Sequence, residues 1–169
     1  MHLHITQLAK PANIDVSASM GVKRTDSSEP TAAATEAWIG LMRAQRRALS
    51  AIERDFKAAG LPPLGWYDVL WELVKAEGGR LRPFEIEART LLAQYNLSRL
   101  IDRLEKEGLV QREAFDEDAR GCWVVVTGKG RAMRERMWQT YGPSIARHVG
   151  AKLGEEEAGA LASLLSRLG

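Results

Sequence analysis

The chain has 169 residues, 45% of them hydrophobic, and a formal net charge of +2; this suits one well-packed domain with an element or two beyond it, and excludes a strongly basic protein. Its one cysteine, Cys122, excludes an intrachain disulfide framework and suits a reducing compartment. No apolar run approaches the roughly 20 residues of a membrane span, and the first residues lack a basic segment followed by an apolar core, so a cytoplasmic protein without membrane contact is expected.

Residues 1–30 have little periodicity and are rich in Ser, Thr, Ala, Asp and Lys, which predicts a flexible tail. Met20 is an alternative natural start. His2 and His4 lack a third ligand, so no metal site is expected there. Residues 31–59 read as a long helix, because Trp38, Met42, Gln45, Leu49, Ile52 and Phe56 recur as a heptad seam that wants a partner helix. Gly60-Leu61-Pro62-Pro63 ends it. A second helix over 64–76 has Trp66, Val69, Leu70, Leu73 and Val74 as its core stripe, with Tyr67 and Trp71 on its flank. Residues 77–80 form a turn, and Pro83 suits the first position of a short third helix running to about Arg89.

The next stretch, 91–120, holds the functional signal. Leu97, Leu100, Ile101 and Leu104 make an apolar helical stripe; Arg99, Asp102 and Lys106 point away from it, with Tyr95, Ser98 and Arg103 at its edges. Such an outer face can meet base edges and phosphates, although an ordinary solvated helix would look similar. Gly108 is placed to end the helix with positive φ. Residues 109–113 and 122–127 read as two strands around a charged loop containing Asp116, Asp118 and Arg120. Short helix, tight connection, polar-faced helix and hairpin together fit a helix-turn-helix with a wing, in which Arg120 could enter a minor groove. Residues 80–136 hold 12 Lys/Arg and 10 Asp/Glu, so DNA binding would depend on where charges sit rather than on their sum.

Thr127-Gly128-Lys129-Gly130 opens another long helix with Met133, Met137, Trp138, Tyr141, Ile145 and Val149 on its apolar face, and Gly142-Pro143 predicts a kink or break within it. A last helix over about 155–168 would bury Ala158, Leu161, Leu164, Leu165 and Leu168. Both terminal regions carry more apolar face than the central module covers, which points to a dimer. An enzyme is the competing class. Its one foothold is the carboxylate group Glu113, Asp116 and Asp118, with no histidine or serine beside it; His148 stands without an obvious partner.

The segments LSRLIDRLEKEGLVQRE (97–113), DEDARG (116–121) and VVVTGKGRAM (124–133) resemble the signature of MarR-type winged helix-turn-helix regulators. Arg99, Asp102-Arg103, Leu104-Glu105, Gly108-Leu109, Arg112, Asp116, Asp118, Arg120, Thr127 and Gly130 match in order and spacing. The likeness extends over about 35–168. Departures are Arg82, Val126 and Gly154, none at a DNA-reading position of the pattern, and Gly121-Cys122-Trp123, to which the pattern assigns nothing.

The resemblance implies a mainly α fold with a small β-hairpin wing, and a single domain over 31–169. Within it, 64–127 would be the DNA-binding module, and 31–63 and 128–169 the dimerisation helices. It also implies a regulator, expected to be a repressor, acting as a homodimer on a pseudo-palindromic double-stranded DNA operator. Gln94, Asn96, Ser98 and Arg99 would approach bases, Arg103 a phosphate or an intrachain carboxylate, Arg112 the backbone, and Arg120 the minor groove. Family members commonly bind small aromatic or anionic effectors beside the winged module. For that role Trp38, Trp66, Tyr67 and Trp71 are the expected ligand-binding residues, although each also fits a core or dimer surface. No cofactor, metal or catalytic residue is expected. The alternatives are a dimeric interaction module without DNA binding and a redox-responsive regulator using Cys122.

Overall fold

The computed structural model describes residues 29–90, 94–114 and 121–168, with only the backbone at 94 and 95. The tail expected over 1–30, with His2, His4 and Met20, falls outside the described residues but for its last two positions.

Thr31 caps α1 (Ala32–Ala58), its hydroxyl accepting from the Ala34 N–H at 3.1 Å. The helix stops where Gly60 takes φ +63° and Leu61 N–H donates back to the Phe56 carbonyl at 3.0 Å. Pro62 and Pro63 bar any continuation. The seam of α1 divides in two. Ile52 and Phe56 are buried and Leu49 packs beside them, whereas Trp38 is 61% exposed and Met42 also faces solvent.

Helix α2 (Leu64–Lys75) lies between two cores. Val69, Leu70 and Leu73 enter the winged module, where they meet Leu81, Ile86, Leu97, Ile101, Leu104, Val110 and Val124. Leu64 and Tyr67 face the second core, formed with Ile52 and Phe56 of α1 and Met137 of α5. Trp66 and Met133 pack against both. Tyr67 is therefore a core residue, 5% exposed, and not the flanking side chain that a single-stripe reading of α2 gives.

The wing is a three-stranded antiparallel sheet in the order β1-β3-β2, built from β1 (Arg80–Leu81), β2 (Val110–Ala114) and β3 (Cys122–Val126). The hairpin expected from sequence is β2–β3, with Val110 opposite Val126 and Ala114 opposite Cys122. Strand β1 corrects the turn expected to extend to Arg80. Gly78 and Gly79 turn the chain with φ near +65° and +68°, and Arg80 then pairs with Val125. Two residues are too few to show an alternating pattern.

Helices α3 (Pro83–Arg89) and α4 (Gln94–Lys106) stand against this sheet. Arg82 at the start of α3 lacks a hydroxyl cap, but its backbone N–H donates to the Glu85 carboxylate at 2.7 Å. Helix α5 (Gly128–His148) packs on α1 and α2 and runs unbroken through Pro143, contrary to the expected interruption. Tyr141, Ser144 and Ile145 around the proline are all held against the rest of the fold, which carries the helix past the lost donor. Helix α6 (Glu155–Leu165) is shorter than expected and buries no residue in the chain. Its predicted buried stripe is in fact open: Leu161, Leu164 and Leu165 are exposed and Leu168 is 74% exposed. No described helix is long and apolar enough to cross a membrane.

Candidate nucleic-acid interface

The orientation of α4 follows from its buried side. Leu97, Ile101 and Leu104 are sealed in the core, so Asn96, Ser98, Arg99, Asp102, Arg103 and Lys106 are forced outward. Asn96, Arg99 and Arg103 lie at spacings of three and four and share one exposed arc. Gly108 ends the helix at φ +69°, with Gly108 N–H on the Glu105 carbonyl and Leu109 N–H on the Leu104 carbonyl, each at 2.8 Å. This paired closure fixes the direction in which the chain leaves for β2.

Thr127 then locks the wing and α5 to that corner. Its hydroxyl donates to the Gly108 carbonyl at 2.8 Å, stands 3.1 Å from the Leu109 carbonyl, and accepts from Gly130 N–H at 3.0 Å as the cap of α5. A side chain on Gly130 would place its Cβ 2.1 Å from the Leu109 carbonyl oxygen. The Thr and Gly of the signature are thus a corner joint, with no contact to DNA required of them.

Arg112 on β2 reaches back to α4. Its guanidinium pairs with Glu105 and, at 2.5 Å, with Asp102. Partial burial works against its charge, but the hydrogen bonds and fields of the two carboxylates outweigh this and hold it more firmly protonated. Two of its donors are thereby committed to bracing the wing on α4. Of the other expected contacts, Asn96, Ser98, Arg99 and Arg103 are exposed on α4 and Gln94 opens that helix. Arg120, like Asp116 and Asp118, lies outside the described residues.

The four expected ligand-binding aromatics separate. Trp71 lines a cleft of about 610 Å³ among α1, α2, the end of α3 and α5, with Leu49, Ile52, Asp68, Arg89 and Tyr141. Tyr67 and Trp71, stacked at 6.2 Å, line an adjoining groove of about 340 Å³ with Arg134, Trp138 and Tyr141. Trp66 fills the seam between the cores, and Trp38 stands on the open half of α1; neither lines either depression. Burial raises the Asp68 carboxyl above its usual range, and Glu72 one turn along adds to the rise.

His148 does have a partner. Its Nε2 is 2.9 Å from Asp55 Oδ2 on α1, which also accepts from Ser144 Oγ at 2.7 Å and stands 3.4 Å from Arg147 Nη1. The Ser144 hydroxyl, then His148, hold the Asp55 carboxyl below its ordinary value. Asp55 and His148 are 93 residues apart, so only the packing of α5 on α1 reveals the pair.

A recognition helix presented outward, a wing braced to it and a short helix before it define a winged helix-turn-helix DNA-binding protein. A model of the MarR family matches residues 59–121. The chain is 28% identical to the HTH-type transcriptional repressor YetL of Bacillus subtilis (strain 168) over 79% of its own length and 70% of that protein's. Among solved structures it resembles AbsC of Streptomyces coelicolor, at 27% identity and TM-score 0.72, over 84% of this chain and 95% of that one. It likewise resembles Sco3205 of the same organism, solved in complex with DNA, at 25% identity and TM-score 0.73, over 84% and 91% of the two chains. In the matched module and in its fold the chain thus resembles transcriptional regulators of the MarR family.

Proposed function

We propose that the protein is a homodimeric repressor that reads a pseudo-palindromic double-stranded DNA operator in the cytoplasm and is released by a small molecule. The observation that carries the DNA part is the outward arc of α4, held in one orientation by three buried apolar residues and by the Arg112 brace. Gln94, Asn96, Ser98 and Arg99 approach base edges in a major groove, and Arg103 and the uncommitted donors of Arg112 approach phosphates. Arg120 enters the adjacent minor groove. Sco3205, a DNA-bound relative of the same fold, and the repressor YetL support this reading.

Residues 31–63 and 128–169 join two copies, and 64–127 read the DNA. The open halves of α1 and α6 supply the apolar surface for that union. The effector enters the cleft beside Trp71. Its aromatic and aliphatic walls suit a flat apolar molecule, and its charged lining, Glu53, Asp68 and Glu72 against Arg89, favours a neutral or cationic one over an anion. Binding there favours a dimer whose recognition helices are wrongly spaced for DNA.

Arg99→Ala and Arg120→Ala test the DNA reading. Both variants should remain folded dimers and lose about 10- to 100-fold in operator affinity, the cost of about 1–3 kcal/mol for a specific contact. Wild-type affinity in both would mean that the contacts lie elsewhere.

A further inference from the structure

Asp68 stands where two depressions meet. It lines both the cleft of about 610 Å³ and the adjoining groove of about 340 Å³, and Trp71 and Tyr141 are the other walls they share. Its side chain is half-buried on α2 between the core residues Tyr67 and Val69. Among the described residues, no hydrogen-bond donor and no basic group meets its carboxylate. Burial first, and then Glu72, push that carboxyl up, and no cation pulls it down. Burial first, and then the Asp68 charge, likewise push up the Tyr141 phenol.

The basic groups nearby have carboxylates of their own. Lys75 Nζ lies 2.8 Å from Glu72 Oε1, and Arg134 Nη1 2.5 Å from Glu135 Oε2. Both cations also lie over Trp71, 5.4 and 4.4 Å from its ring centroid, so that ring is taken. With Glu72 paired, the described lining of the cleft sets Glu53 and Asp68 against Arg89. Glu53 and Arg89 are exposed, which leaves Asp68 as the unpaired charge drawn back from water. Such a carboxylate costs stability unless a group from outside the chain completes it. Its complement is a cation with several N–H donors. The apolar wall of the cleft, Leu49, Ile52 and Leu64, suits a ring attached to that cation.

We propose that the effector of this chain is a protonated amine on a flat apolar ring, its ammonium on the Asp68 carboxylate and its ring against Leu49, Ile52 and Tyr141. This rests on the reading of the cleft as the effector site.

The test uses three probes with one ring, substituted at the same carbon: naphthylmethylamine, naphthylmethanol and naphthoate, which are cationic, neutral and anionic at pH 7. Calorimetric titration of the full chain should rank them in that order. The amine should bind about 10- to 100-fold tighter than the alcohol, the range for a hydrogen bond to a charged group. Asp68→Asn should bring the amine down to the alcohol and leave the alcohol unchanged. The wild type's advantage over Asp68→Asn should also shrink as acid protonates Asp68. The other ionisable groups around it, Glu53, Tyr67, Glu72, Arg89, Arg134 and Tyr141, are common to both proteins and cancel in that comparison. Because the carboxylate has no partner in the free protein, Asp68→Asn should melt no lower than the wild type at pH 7. A markedly lower melting temperature, or an amine affinity untouched by the substitution, would overturn the proposal. If naphthoate bound more tightly than the amine and released operator DNA, the amine would be wrong and the cleft would stand as the effector site. If none of the three bound at millimolar concentration or moved the protein from its operator, both readings would fall.

Discussion

Gly130 has no room for a side chain, because a Cβ there would meet the Leu109 carbonyl at 2.1 Å and Val126 at 2.9 Å. Backbone cannot yield as a flexible side chain can, so Gly130→Ala should cost about 3 kcal/mol in urea unfolding, the upper range for overpacking. A cost below about 0.5 kcal/mol would mean that the corner relaxes freely. Arg112 makes the opposite kind of contribution. Its ion pairs with Asp102 and Glu105 are solvent-exposed, so Arg112→Met should lower stability by less than about 1 kcal/mol. Operator affinity should fall by more than that stability loss suggests, because the brace sets the angle between wing and helix. Asp55 sets a pH dependence. Its folded carboxyl lies below the ordinary value, so the stability it adds is present above the unfolded pKa and is lost as pH falls through the folded one. The melting temperature of Asp55→Asn should accordingly trail the wild type at pH 7 and converge with it on acidification below about pH 4. A gap that stays constant down to pH 3 would remove Asp55 from the account. The corner residues Thr127 and Gly130 were legible as a motif in the sequence, but their purpose was not, since it lies in carbonyls nearly 20 residues away. The Asp55–His148 pair was invisible for the same reason, at greater range.

At the scale of elements, the helices with one apolar face were the readable ones. Leu97, Ile101 and Leu104 alone orient α4, and the order of helices around it follows from caps and breakers such as Thr31, Gly60 and Pro83. Helix α2 misleads because it has two buried faces, so Tyr67 looks peripheral on a wheel drawn for one. Strand β1 is legible only through its partner β3. Pro143 signals a break that tertiary contacts suppress. Helix α6 gives the clearest lesson: its leucine periodicity is real, but the surface that would bury it is not in the chain described. That face yields a prediction at this scale. Leu164→Glu with Leu168→Glu should leave the far-ultraviolet circular dichroism nearly unchanged while halving the mass seen by sedimentation. If the double variant kept the wild-type mass, α6 would not be part of a dimer interface.

For the whole molecule, a net charge of +2 leaves little long-range attraction to DNA, so the proposed binding rests on where individual arginines sit and not on their sum. Two copies joined through their terminal helices would double those contacts and fix the distance between recognition helices. The most direct test is to select tight-binding duplexes from a randomised DNA pool with the purified protein and sequence them. The account predicts recovered duplexes sharing a pseudo-palindrome whose half-sites lie about one helical turn, roughly 10 base pairs, apart. A recovered pool no different from the starting one, from a protein that is folded and dimeric, would contradict it.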